Sequence, residues 1–317
     1  MVFYVYLDPP VFEAAAAGGQ MALQLLTAIL RGFLQNCVLL EFDDYRWDTA
    51  VRRAVNSQEK TFDRSAIKKL LVQLQRRNRI VPFFKDDYSG LPDLEFVVQQ
   101  ASAAGLDLIL SVQTVSLPSN CSCEAAILGT YQESEFEDQR AETAANGREY
   151  KHGEMGEEQF LLTTFQKFIR HARRIEVCDA VCGRYFGDNF KYTLKKFLAF
   201  LDSALVDPAV CELILHCEKS ERDQYLLSEL TSFRTARLAQ MPISVCFYDP
   251  INGQQCLPHE RYICTDQFGL QIGRGMDFLD RATARNRDIS VSFKPWNVLS
   301  TKLTPYQCFK LAPVQIP

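Results

Sequence analysis

The chain lacks the signatures that usually settle a function early. Its 317 residues hold only 15 glycines and 13 prolines, which excludes collagen-like and low-complexity disordered architectures. No C-x-x-C pair occurs among its eleven cysteines. An odd, scattered set of that kind reads as reduced thiols in a cytoplasmic protein, not as a disulfide framework or zinc site. Cys121-Ser122-Cys123 and Cys178-x3-Cys182 lack zinc-ligand spacing, so these thiols are expected to act as small buried hydrophobes. Gly18-Gly19 is not followed by Lys-Ser/Thr, so there is no P-loop. The longest uncharged run, Ala14 to Leu30, is short of the ~20 apolar residues of a membrane span and contains Gln20, Gln24 and Thr27. It predicts a buried helix. The amino terminus has no basic flank, and Asp8, Pro9 and Pro10 interrupt any signal-peptide core. No internal repeat or heptad is present.

What remains is a globular composition, 47% hydrophobic and 23% charged, at a length that suggests two domains. The net charge of −4 is unevenly spread. Residues 129–158 carry 9 acidic and 3 basic side chains, whereas 159–317 carry 20 basic and 16 acidic. The acidic stretch between Tyr131 and Glu158 has few aliphatic residues and is expected to be a linker. Before it, VFYVYLD, CVLLEF, IVPFF and LDLILSV alternate with helical patterns over about Gly19–Asn36, from Phe62 through Leu74, and about Pro92–Ala103. Alternation of that kind predicts a mainly parallel α/β domain over 1–130.

After the acidic stretch, Phe160, Leu161, Phe165, Phe168 and Ile169 fall at helical spacing and lead into IEVCDA. A second amphipathic helix over about Asp188–Leu205 places Phe190, Leu194, Phe197, Leu198 and Leu201 on one face. ELILHC, a helix over about Arg222–Gln240, ISVCFYD, ERYICT, FGLQIG and DISVSF follow. The expected class for 159–317 is again α/β.

Chemistry concentrates in HERYICTDQFGLQIGRGMDF. His259, Arg261 and Asp266 fit H-x-R-x4-D, and after six intervening residues Gly273 opens Gly273-Arg274-Gly275. Strand alternation would put His259 and Arg261 on one face. The spacing resembles the phospholipase D superfamily motif, H-x-K-x4-D followed by the glycine of G-S-x-N. It resembles more closely the C-terminal domain of MIT-domain proteins, whose members show H-x-R and then I-G-R-G-L-D-Y or -F. Here Ile272-Gly273-Arg274-Gly275-Met276-Asp277-Phe278 matches, as does the upstream run Ile175-Glu176-Val177-Cys178-Asp179 through Tyr185. The likeness covers roughly residues 160–317, and no MIT helical hairpin is evident at the amino terminus.

That resemblance implies a phospholipase D-like domain that recognises a phosphodiester. Arg261, Gly273, Arg274 and Gly275 would form the phosphate pocket, His259 would be nucleophile or acid, and Asp266 would orient a basic residue. The chemistry needs no metal or other cofactor: one imidazole attacks phosphorus, a second protonates the leaving oxygen, and cations neutralise the equatorial oxygens. Arg261 stands where the motif has lysine, and Arg274 and Met276 replace the Ser and Asn of G-S-x-N. Both exchanges subtract more from catalysis than from binding. A homodimer or larger complex would supply the second motif.

The expected function is recognition of a phosphodiester, nucleic acid foremost, with metal-independent cleavage as an open extension; an antiviral conflict effector would fit the domain pairing. The alternative is a catalytically silent module docking on a protein or membrane, without a transmembrane segment. Arg274, Arg281, Arg285 and Arg287, and separately Arg170, Arg173 and Arg174, form basic clusters suited to phosphate backbones. Stacking aromatics are sparse beyond Tyr185, Phe186 and Tyr262. A weaker rival site, carboxylates at Asp8, Glu41, Asp43, Asp44 and Asp107, could hold Mg²⁺ as in PIN-like ribonucleases. His216, inside an apolar strand, reads as a satisfied core residue; His152 and His171 have no evident role.

Overall fold

A computed structural model of the chain describes residues 2–42, 49, 51–52, 62–83, 93–151, 153–184, 186–233, 238–250, 257–279, 288–294 and 308–316. It is a mixed α/β protein of two compact units, Met1–Ala145 and Asn146–Pro317.

In the first unit, β1 (Phe3–Leu7), β2 (Cys37–Glu41), β3 (Ile80–Pro82), β4 (Leu108–Ser111) and β5 (Glu124–Ile127) form a parallel sheet in the order β3-β2-β1-β4-β5. The runs FYVYL and LILS are buried throughout, as parallel strands covered on both faces require. The chain steps outward from β1 to β3 and then returns to the other side of β1, so strand order reverses between β1 and β4. The helices are α1 (Pro10–Ala17), α2 (Gly19–Asn36), α3 (Phe62–Arg76) and α4 (Asp93–Ala104). In α2, Leu23, Leu26, Ile29, Leu30 and Phe33 are buried at helical spacing, so the uncharged run is a core helix.

The acidic stretch is folded, not a linker. It holds α5 (Glu135–Asn146) and β6 (Arg148–Tyr150), and the boundary between the units falls within it. Its acidic side chains average away a small number of fully committed ones: Tyr131, Phe136, Arg140 and Tyr150 are all buried. Arg140 explains the helix. Its guanidinium holds Glu137 and reaches the Gly32 carbonyl at 3.0 Å and Gln35 Oε1 at 2.9 Å, while Asn36 returns a bond to the Arg140 carbonyl. The Ser134 hydroxyl accepts the Glu137 N–H, a helix-start signal legible as Ser-x-x-Glu.

The second unit adds α6 (Glu157–Ile169), β7 (Arg174–Cys178), α7 (Ala180–Arg184), α8 (Asp188–Ala204), β8 (Glu212–Glu218), α9 (Asp223–Phe233), β9 (Ile243–Pro250), β10 (Arg261–Thr265), β11 (Gly269–Ile272), β12 (Ile289–Lys294), β13 (Cys308–Lys310) and β14 (Val314–Gln315). Its sheet runs β13-β9-β8-β7-β10-β11-β12-β6, with β14 also on β9. Strands β7, β8 and β9 are parallel; β10 returns antiparallel to β7 and pairs with β11 as a hairpin. The apolar faces of α6 and α8 meet in an aromatic cluster, Phe165 lying 5.7 Å from Phe197 and 5.5 Å from Phe278 between ring centroids. Each such buried ring contributes roughly 1.5–3 kcal/mol.

One polar chain crosses the parallel strands. His216 on β8 sits 2.9 Å from Glu176 Oε2 on β7 and 2.9 Å from the Tyr248 hydroxyl on β9. Both ring nitrogens are thus engaged, and His216 is the satisfied core residue its sequence context suggests.

Candidate functional site

The site begins with Asp179, the residue after β7, which sequence reasoning gave no role. Its carboxylate is 1% exposed. Oδ1 accepts the N–H groups of Val181 and Cys182 at 2.9 and 3.1 Å and so caps α7; Oδ2 accepts the Met276 N–H at 2.7 Å. One buried side chain therefore pins the helix after β7 to the glycine turn after β11. Burial raises its pKa above the ordinary 3.8, against the Met276 and Cys182 N–H groups, the Arg261 charge and the Val181 N–H. The available signal was an aspartate closing an apolar strand just before a short helix.

Arg261 opens β10. Because β10 runs antiparallel to β7, its first residue lies at the carboxyl end of β7, beside Asp179. Arg261 Nε is 3.9 Å from Asp179 Oδ1, and Nη1 is 3.5 Å from the Gly273 carbonyl oxygen. Both contacts are long, and the side chain keeps 24% of its surface exposed. Gly275 makes this possible. It has φ +62°, and a Cβ there would fall 2.2 Å from Asp179 Oδ2 and 2.6 Å from Arg261 Cγ. Only glycine lets the arginine stem lie across the turn. A shallow surface depression without an enclosed cavity results, lined by Asp179, Arg261, Tyr262, Ile272, Gly275 and Met276 among others.

The other expected site residues are placed differently. His259 is exposed, precedes β10 by two residues and does not line the depression, so strand alternation does not reach it. Asp266 lies at the far end of the β10–β11 hairpin, about 16 Å along the strand from Arg261 at ~3.3 Å per residue. Its carboxylate accepts the Arg173 N–H at 3.0 Å; the structure does not bring it to Arg261. Gly273 borders the site through its carbonyl, and a Cβ there would overlap the Ser290 hydroxyl oxygen at 2.6 Å while the Ser290 backbone N and O stay at 3.7 Å. Arg274 pairs with Asp277 at 3.6 Å and is 9% exposed, so it does not share the opening with Arg261. Asn189 at the start of α8 donates to Asp277 and, at 2.9 Å, to the Leu279 carbonyl, which fixes the whole Gly273–Leu279 turn.

The basic cluster Arg170, Arg173 and Arg174 sits at the opposite end of β7, where Arg174 pairs with Glu176 and Glu212. Phe186 and Tyr262 are buried. Arg281, Arg285, Arg287, Tyr185, His152, Asp43 and Asp44 lie outside the described residues.

Among the described residues the rival carboxylate site does not assemble. Asp8 and Glu41 stand at the carboxyl ends of β1 and β2, but Asp107 precedes β4 and accepts the Tyr4 N–H at 2.7 Å, at the other end of the sheet. Among the described residues no group of three His, Cys, Asp or Glu is placed to hold a metal ion, and no helix is long and apolar enough to cross a membrane. No protein-family model matches the chain, and no curated protein matches it at a significant level.

Proposed function

We propose that the carboxy-terminal unit is a phospholipase D-like module that recognises a phosphodiester, nucleic acid foremost, and does not cut it. The observation that carries this reading is Arg261, set over a glycine turn with two long contacts and part of its fork open. A planar guanidinium with donors to spare takes two phosphate oxygens at once. The buried Asp179 carboxylate orients it without taking all its donors, because three backbone N–H groups already satisfy that carboxylate.

Cleavage would need two imidazoles around one phosphorus. His259 stands outside the depression, and both nitrogens of His216 are engaged. His171 follows α6, at the amino end of β7, with its pKa pushed down to about 4 by burial and the nearby Arg170. These placements favour a silent site. A homodimer that brought two His259 side chains together would favour the enzyme.

Labelled single- and double-stranded DNA and RNA, with and without EDTA, test the proposal by fluorescence anisotropy and gel analysis. Binding without cleavage is expected, weakened by about 1.5–3 kcal/mol in Arg261→Ala. Unchanged affinity with an intact fold removes Arg261 from the site. Cleavage that persists in EDTA and disappears in His259→Ala replaces the silent reading with the enzymatic one. Anionic vesicles bound in preference to nucleic acid would move the module to a membrane surface.

A further inference from the structure

An exposed aromatic ring stands at the same end of the sheet as Arg261. Tyr225, in the first turn of α9, is 43% exposed. The fully buried Phe186 backs it edge-on, with ring centroids 5.5 Å apart and planes at 64°. The ammonium of Lys191, in the first turn of α8, lies over one face of the Tyr225 ring, 5.5 Å from its centroid and 3.3 Å from the hydroxyl oxygen, so a base would take the opposite face. Arg222, exposed just before α9, donates Nη1 to the Phe186 carbonyl at 3.0 Å.

Topology places these groups at one end of the sheet. Helix α7 and Phe186 follow β7, α8 starts two residues after Phe186, and α9 follows β8, which is parallel to β7. The starts of α8 and α9 therefore lie at the carboxyl end of β7, where Arg261 opens β10. Asn189 completes the link: it bonds the turn that carries Gly275 and stands two residues before Lys191.

Resting on the phosphate reading above, we propose that Tyr225 is a nucleobase-stacking platform and that the ligand of this face is single-stranded polynucleotide. Arg261 takes a backbone phosphate and the Tyr225 ring takes a base. A ring fixed by a buried neighbour loses little freedom on stacking, and every base offers a π-face, so the contact is tolerant of sequence. Lys191 is 2.6 Å from Glu229 Oε1, which spends much of its charge within the protein. Selectivity for a base over a bare phosphate thus rests on the ring.

The full chain is tested by anisotropy against a labelled single-stranded RNA, the same sequence as DNA, the corresponding duplexes, and an abasic deoxyribose-phosphate oligomer of equal length. Tyr225→Ala is expected to weaken both single strands about tenfold to a hundredfold. Binding of the abasic oligomer should stay within about twofold, while Tyr225→Phe and Tyr225→Trp retain affinity, the indole fluorescence of the latter being quenched on binding. The RNA and DNA arms identify which single strand is preferred. Equal losses on the normal and abasic strands, a Tyr225→Phe loss as large as that of Tyr225→Ala, tighter binding of duplex, or no binding of single strands overturns the platform. The two assignments fail separately. Arg261→Ala without effect on the abasic oligomer refutes the phosphate site while a base-selective loss in Tyr225→Ala still upholds the platform.

Discussion

The two ends of β7 carry arginine–carboxylate pairs of opposite character. At the amino end, Arg174 Nε is 2.8 Å from Glu176 Oε1 and 3.2 Å from Glu212 Oε1. At the carboxyl end, Arg261 Nε approaches Asp179 no closer than 3.9 Å, and backbone N–H groups satisfy that carboxylate. Burial disfavours both carboxylates. For Glu176 the His216 hydrogen bond and the charges of His216, Arg174 and Lys310 outweigh it and lower the pKa, whereas for Asp179 burial prevails. Nearness of opposite charges therefore does not decide whether an arginine can serve a ligand. What decides is how many carboxylates hold the arginine and what else holds those carboxylates.

The contrast breaks most severely at Gly275. Gly275→Ala combines a left-handed backbone with overlap on Asp179 and Arg261, and should cost about 2–5 kcal/mol by urea denaturation. Gly273→Ala overlaps only a movable hydroxyl and should cost about 1 kcal/mol or less. Equal costs would mean the turn relaxes freely. Next comes binding: Arg261→Ala should lose about 1.5–3 kcal/mol of affinity for labelled single strands, and Arg174→Ala should lose almost none. Equal losses would place the ligand along the whole strand.

A pH series sharpens the comparison further. The raised pKa of Asp179 contributes stability below its ordinary 3.8 that is lost as pH rises through the folded value. The lowered pKa of Glu176 contributes stability above its ordinary 4.5 that is lost as pH falls through the folded value. Urea denaturation from pH 3.5 to pH 6 should therefore show the advantage of wild type over Asp179→Asn shrinking with pH, and that over Glu176→Gln growing. Parallel trends would refute the opposite shifts. The smallest effect is stability in Arg174→Ala, below about 1 kcal/mol, since Arg174 and Glu212 are half-exposed.

Much of the fold was legible because its strands are dense apolar runs. CVLLEF and ELILHC mark β2 and β8 to within a residue, and the helix pattern at Gly19–Asn36 coincides with α2. The acidic stretch was misread because composition sums over a segment, while folding depends on a few positions such as Tyr131, Phe136 and Arg140. Linear spacing singled out Arg261 and Gly275, which the fold sets side by side. It carried Asp266 along although a returning hairpin sends that residue to the far end, and it missed Asp179, whose site partners Arg261 and Met276 lie about 80 to 100 residues away.

The chain from Glu176 through His216 to Tyr248 has a consequence for assembly. The strands it joins, RIEVC, ELILHCE and ISVCFYDP, are rich in apolar residues of similar size and say little about which residue should face which. Sliding β8 by one position would turn His216 to the opposite face and cost it its hydrogen bonds to both Glu176 and Tyr248. The three polar groups thus act as an alignment key, penalising every misthreaded sheet in which they fail to meet.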